Sequence, residues 1–334
     1  MRIVIQIPCL NEEATIAGTI ADIREATREL GDVVVLVVDD GSTDRTVSVA
    51  FAGGADHVVR HKINRGLARA YMTGLAVSMN LGADVIVNTD ADNQYKASGI
   101  PALVRPILDG TADMVVGARP IDDIEHFSPL KKRLQRFGSR MVRFLSHTEV
   151  VDATSGFRAI SRQTALRLNT LSDYTYTLET LIQAGRSGLR VMSVDIDTNP
   201  PTRESRLISS IRKYVMTSSM DMMRVFAVYA PLRAYLIAGS VPLAGTVLLG
   251  LRYLFLISFG DPTRTHAPSL ILAGIFAGLG FLIVGLGIIG ELLAVNRRIL
   301  EELRLNQRRK DVLEGKVMAQ VNYETAKRPE EREA

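Results

Sequence analysis

The stretch Ile3-Val4-Ile5-Gln6-Ile7-Pro8-Cys9-Leu10-Asn11-Glu12-Glu13 decides the fold. Residues 3–7 are a short β-branched run, and Asn11 can cap a following helix that carries Ile16, Ile20, Ile23 and Leu30 on one face. The unit then repeats. Residues 33–38 are uninterrupted apolar, as a strand buried on both faces requires, and Ser42, Thr43 or Asp44 can cap the next helix. Further outward, residues 57–60, 85–88 and 114–116 read as strands, with helices over 67–81 and 100–108. Strand and helix alternating in this way predict an α/β domain with a mostly parallel sheet.

Ligands on such sheets bind beyond the carboxyl ends of the strands. The acidic residues fall there: Glu12 after the first strand, Asp39 and Asp40 after the second, Asp90 and Asp92 after the fourth. Turn formation and helix capping explain any one of these groups. Three groups at strand ends point instead to a divalent metal that bridges carboxylates to a diphosphate. The histidines His57, His61, His126, His147 and His266 are scattered and read as structural or surface residues.

The chain has 334 residues, 47% hydrophobic and 23% charged, with one Cys and no Trp. Its mean hydropathy of +0.13 beside that charged fraction concentrates the apolar residues in particular segments. The single Cys9 excludes an internal disulfide framework and a multi-thiolate zinc site. A net charge of +4 is too mild to argue for a nucleic-acid partner. Residues 1–10 stop at Asn11, short of a signal-peptide core, so no cleavable signal is expected.

Residues 234–251 and 269–290 carry no charge, and each is long enough to cross a hydrocarbon core of about 30 Å. The alternative is a pair of buried core helices. Before the first run stand Arg203, Arg206, Arg212, Lys213, Arg224 and Arg233; after the second stand Arg297, Arg298, Arg304, Arg308, Arg309 and Lys310. Between the runs are only Asp261 and Arg264, apart from Arg252, which can snorkel to the far interface. The positive-inside rule puts both termini in the cytoplasm, joined by a two-helix hairpin in an integral membrane protein.

Three segments carry a family resemblance: residues 8–13 (PCLNEE), 39–42 (DDGS) and 90–94 (DADNQ). Together they resemble the signature of family 2 glycosyltransferases. Asn64-Arg65-Gly66-Leu67, with Gly74 after it, resembles that family's glycine-containing turn into a helix. Residues 152–158 (DATSGFR) and 203–207 (RESRL) resemble the dolichyl-phosphate mannose synthase and polyprenyl-phosphate glycosyltransferase branch. The likeness covers roughly residues 1–207.

The resemblance implies a Rossmann-like glycosyltransferase-A fold, a mixed and mostly parallel sheet, with a C-terminal transmembrane hairpin. It implies inverting transfer of one sugar from a UDP- or GDP-sugar donor to a polyprenyl (dolichyl or undecaprenyl) phosphate at the cytoplasmic membrane face. Pro8, Leu10, Glu12, Val37 and Asp39 match the nucleobase and ribose pocket, and Asp90 and Ala91 match positions beside ribose and diphosphate. Asp92 and Gln94 match ligands of Mg²⁺ or Mn²⁺, with Asp90 beside them. Arg119 matches a basic residue at the transferred phosphates. Leu10 stands where an aromatic is common, and Arg206 where Lys is usual.

The acceptor side reads from charge and amphipathicity. Arg203 and Arg206 precede an amphipathic stretch, 207–228, in which Met220, Met222 and Met223 could line an isoprenoid groove. Arg136 and Ser139 share a helix face that could hold the lipid phosphate. Gly274 and Gly278 form a small-xxx-small pair that hints at a homo-oligomer. The domain reading is 1–206 catalytic, 207–233 interfacial, 234–293 membrane-spanning, and 294–334 a charged helix with a disordered tail from about residue 320. A processive polysaccharide synthase shares the first motifs but resembles its relatives in a Trp-containing acceptor motif, and this chain has no Trp. A catalytically inactive scaffold conflicts with intact Asp90, Asp92 and Gln94.

Overall fold

The computed structural model describes residues 1–120, 148–170, 176–200, 226–259, 267–313 and 324–325, with the isolated positions 140, 142–144, 146, 223 and 224. It divides into two compact units, Met1–Leu207 with Arg304–Ala334, and Ile208–Leu303.

In the first unit, β1 (Arg2–Cys9), α1 (Ile16–Ala26), β2 (Asp32–Asp39), α2 (Thr46–Ala52), β3 (His57–Arg60), α3 (Leu67–Asn80) and β4 (Val85–Asn88) follow the alternation of the sequence. After them come α4 (Ile100–Leu108), β5 (Met114–Ala118), β6 (Arg158–Ser161), α5 (Arg162–Arg167), α6 (Thr177–Arg186) and β7 (Val191–Asp195). With a last short strand β8 (Glu324–Thr325), they form an eight-stranded sheet in the order β7-β5-β6-β4-β1-β2-β3-β8. The central pairs β4–β1, β1–β2 and β2–β3 are parallel. β6 runs antiparallel between β4 and β5.

β1 sits mid-sheet, and Ile3, Ile5 and Ile7 are buried together with Ile16, Ile20 and Ile23 of α1. Each such side chain withdrawn from water contributes about 1.5–3 kcal/mol before conformational entropy is counted. The helix spacing read from the sequence therefore builds the core on that face. Gly74 stands inside the helix read over 67–81. It lies inside α3, where an added Cβ would strike the Gln6 side chain of β1, so it permits close helix–sheet packing. Gly66, at φ +93°, is the residue that turns the chain into α3.

Asn11 does not cap α1. It takes a left-handed conformation (φ 55°), and its Oδ1 accepts the Thr43 N–H at 2.8 Å, joining the β1 and β2 loops. α1 starts four residues on, after Thr15. For α2, Asp44 Oδ1 accepts the Thr46 N–H at 3.0 Å, so of the three candidates Asp44 serves the helix start. The tail expected to be disordered contributes β8, whose Glu324 and Thr325 pair with Arg60 and Val59 of β3.

In the second unit, α7 (Pro231–Phe259) and α8 (Ala267–Leu313) are both long and apolar enough to cross a membrane. They pack antiparallel through small residues. A Cβ on Gly239 would meet Val284 at 3.0 Å, one on Gly287 would meet Tyr235 at 2.8 Å, and one on Gly290 would meet Pro231 at 2.8 Å. Arg252 Nη1 donates to Ser269 Oγ at 3.0 Å across the two helices. Gly274 and Gly278 take no part in this packing and have open space beside them among the described residues. α8 runs on past the apolar segment as the charged helix expected after Asn296.

Candidate active site

The parallel strands bring one edge of the sheet together. Cys9, Asp39 and Arg60 are neighbours across β1, β2 and β3, and Asp90 follows β4 by two residues. Arg119 follows β5 directly. Because β6 is antiparallel, its beginning lies at this same edge, and so does the segment 152–157 that leads into it. Pro8, Leu10, Glu12, Val37, Asp39, Asp90, Ala91, Asp92, Gln94 and Arg119 are therefore gathered on one sheet edge. Arg136, Ser139, Arg203 and Arg206 lie outside the described residues, as does most of the amphipathic stretch.

The two adjacent aspartates after β2 have different tasks. Asp39 is fully buried, accepts the Ser42 N–H at 3.1 Å, and pairs with Arg60 Nε at 2.9 Å. Asp40 accepts the Arg65 and Gly66 N–H groups at 2.9 and 2.8 Å and holds His61 Nδ1 at 2.6 Å. Asp40 thus organises the turn into α3, and His61 is a buried structural residue. Gly41, at φ +84°, lets that turn close: an added Cβ would lie 2.9 Å from both Asn64 N and the Ile63 carbonyl carbon.

The loop after β4 is held from both sides. Thr19 Oγ1 of α1 donates to the Ala91 carbonyl at 3.1 Å, and left-handed Asn93 donates to Asp22 at 2.8 Å. Asn199 N donates to the Gln94 carbonyl at 2.8 Å, bringing the chain after β7 to the same place. Glu12 presents its N–H to Thr46 Oγ1 at 2.8 Å and accepts from Thr15 Oγ1 at 3.0 Å.

Burial and the neighbouring Asp92 charge push the Asp90 carboxyl up to about 7. Two carboxylates so placed repel each other, and a hard cation relieves that repulsion. Among the described residues no group of three His, Cys, Asp or Glu side chains forms a cage by itself. Asp90, Asp92 and the Gln94 amide oxygen are hard donors that suit Mg²⁺ or Mn²⁺ when a ligand's diphosphate completes the shell.

Arg119, directly after β5, places its positive charge near Asp90 and works against the rise of that carboxyl. Its Nε and Nη2 grip Asp152 at 2.6 and 3.1 Å, and Nη2 also donates to Thr154 Oγ1 at 2.9 Å. Burial alone would raise the Asp152 carboxyl, but hydrogen bonds from Arg119 and its charge outweigh this and hold it below the ordinary range. Gly156 closes the floor: an added Cβ would lie 3.1 Å from Asp90 Oδ1 and 2.9 Å from Tyr176 Oη. Asp152 and Gly156 stood in a recognised motif, yet their partners Arg119 and Asp90 are 33 and 66 positions away. No local pattern marks such pairs.

Comparison with known proteins gives the family. Residues 4–167 match the family described as glycosyl transferase family 2. An undecaprenyl-phosphate mannosyltransferase from Micrococcus luteus is 30% identical over 206 residues, 59% of this chain and 83% of the relative. The chain belongs to glycosyl transferase family 2. Another relative in the family is a UDP-N-acetylglucosamine–dolichyl-phosphate N-acetylglucosaminyltransferase of Methanococcus voltae, 29% identical over 58% of this chain and 83% of its own. Glucosyl-3-phosphoglycerate synthase of Mycobacterium tuberculosis, solved with Mn²⁺, UDP and phosphoglyceric acid, superposes with a TM-score of 0.52. It is 25% identical and covers 66% of this chain and 78% of that one. This chain is a glycosyltransferase with the fold expected of the family.

Proposed function

We propose that this glycosyltransferase moves a single sugar from a UDP- or GDP-sugar onto a polyprenyl phosphate at the cytoplasmic face of a membrane, with inversion at the anomeric carbon. The observation that carries the reading is the convergence of Asp90, Asp92 and Arg119 on a sheet edge, in a chain with two helices able to span a bilayer. Relatives named for undecaprenyl-phosphate and dolichyl-phosphate acceptors support the acceptor class.

In this reading, Pro8, Leu10, Glu12, Val37 and Asp39 receive the nucleoside, and Asp90 and Ala91 border the ribose and diphosphate. Asp92 and Gln94, with Asp90, would hold the divalent metal, which when bound would supply positive charge to stabilise a leaving diphosphate. Arg119, fixed by Asp152, offers its remaining N–H edge to the same phosphates. The acceptor is a phosphate monoester with a second pKa near about 6, so it attacks largely as the dianion and needs no general base. Arg136, Ser139, Arg203 and Arg206 are the cations and hydroxyl assigned to that dianion, whose approach to an anionic donor needs offsetting charge. Residues 1–206 form the catalytic part, 207–233 lie at the interface, 234–293 span the membrane, and both termini face the cytoplasm.

The reading is tested by supplying the purified full-length chain with a short polyprenyl phosphate, Mg²⁺ or Mn²⁺, and labelled UDP- and GDP-sugars. A lipid carrying one sugar is the expected product, and the donor that is consumed identifies the nucleotide.

A further inference from the structure

Arg158 opens β6 and is 1% exposed. Its Nε donates to the Ser155 carbonyl at 2.7 Å, and Nη2 to the Ala153 carbonyl at 2.8 Å. Nη1 donates to the Thr177 carbonyl at 2.7 Å and to Thr180 Oγ1 at 3.0 Å. The guanidinium also stands 6.0 Å from the centre of the Tyr176 ring, which stacks on Tyr71 at 3.9 Å. Tyr176 Oη in turn accepts from Asn88 Nδ2 at 2.8 Å, which ties the assembly to β4.

A buried guanidinium held by neutral acceptors is a poor source of stability. Apolar residues of similar volume serve a core as well or better. What the fork supplies is geometry: it draws the loop 152–157 and the start of α6 onto one side chain. The other side of that loop bears on the site twice, through Asp152 on Arg119 and through Gly156 against Asp90.

We propose that Arg158 is a positioning residue for the leaving-group site, acting through the loop 152–157 to set Arg119 and Asp90. The turnover part of its test rests on the proposed transfer reaction; the cation-binding part does not. Lysine keeps the charge, but its single ammonium cannot reach carbonyls on both sides as the planar fork does. Supporting residues of this kind typically change metal affinity or activity by about 10- to 100-fold.

The test uses full-length Arg158→Lys and Thr180→Val, the latter removing one acceptor of the fork. Mn²⁺ binding in the presence of UDP or GDP is followed by electron paramagnetic resonance, beside thermal melting and donor kinetics. Arg158→Lys should fold, raise the Mn²⁺ concentration for half-saturation about tenfold, and lower kcat more than it changes donor KM. Thr180→Val should shift both in the same direction by less. If Arg158→Lys lowers the melting temperature but leaves Mn²⁺ half-saturation and kcat as in the wild type, Arg158 is structural and the proposal is wrong. If Arg158→Lys does not fold, Thr180→Val decides: wild-type Mn²⁺ binding and kcat overturn the proposal. A wild type that binds Mn²⁺ with nucleotide but glycosylates no polyprenyl phosphate defeats the proposed function, while the Mn²⁺ data still judge Arg158.

Discussion

Arg119 and Asp152, 33 residues apart, form a two-point ion pair, with Nε to Oδ2 at 2.6 Å and Nη2 to Oδ1 at 3.1 Å. The Asp152 side chain is fully buried and that of Arg119 is 20% exposed, so the pair is largely shielded from solvent. It joins the end of β5 to the loop before β6 and holds the cation near Asp90. The geometry is preorganised before any ligand arrives, which is where electrostatic catalysis gains most.

Asp152→Asn should destabilise the fold by about 3 kcal/mol at neutral pH, because it leaves a largely buried guanidinium without its counter-charge. The Asp152 carboxyl lies below its ordinary value of 3.8, so the ionised form belongs to the folded state. Its contribution is therefore full above that value and is lost as pH falls through the lower, folded-state pKa. Thermal melts of wild type and variant from pH 7 to pH 3 should converge toward the acid end. A stability gap that widens in acid would contradict the assignment.

Asp92→Asn should fold normally and lose about two orders of magnitude in turnover, since a neutral amide is a weak ligand for a hard dication. Calorimetry should show Mn²⁺ binding with nucleotide weakened in parallel. Near-normal turnover of this variant in the presence of EDTA would exclude a metal held by Asp92.

Gly156→Ala separates site geometry from stability. The new methyl would press on both Asp90 oxygens and on Tyr176 Oη. Turnover should fall about tenfold or more, as expected for displacement of a supporting contact. Gly41→Ala should instead act on stability, by about 2 kcal/mol, because it adds left-handed strain (φ +84°) to contacts at 2.9 Å. Equal loss of melting temperature and activity in both variants would remove the distinction.

Cysteine labelling reads the topology. The native Cys9 is buried, and burial together with neighbouring carboxylates pushes its thiol well above the ordinary value, so it should stay unreactive. A cysteine introduced at Thr263 should react with a membrane-impermeant maleimide added outside intact cells. One introduced at Lys310 should react only after permeabilisation. The reverse pattern would invert the orientation drawn from the flanking arginines.

The strands and helices from β1 to β5 were legible because each repeats a local signal, an apolar run or a helical stripe that ends at a polar cluster. Past Ala118 that signal fades. β6 is only four residues long and antiparallel, and β7 is an edge strand with no buried residue, so neither has the continuous apolar run of β2. The acidic half of the site was legible from its place after strands. Its basic half was only partly so: Arg119 stood out by resemblance, while the Arg60–Asp39 pair and the Arg158 clamp depend on side chains brought together by sheet order. Asn11 misled because Asn suits both a helix cap and a left-handed turn, and here its Oδ1 accepts the Thr43 N–H on the β2 loop.

The central claim is the acceptor. The most direct measurement offers the purified full-length chain three acceptors in parallel with its preferred labelled nucleotide-sugar and Mn²⁺: a short polyprenyl phosphate, 3-phosphoglycerate and an oligosaccharide. The account predicts metal-dependent formation of a polyprenyl phosphate bearing one sugar, with little transfer to the other two. Transfer to 3-phosphoglycerate or growth of the oligosaccharide, with the lipid left unmodified, would contradict it.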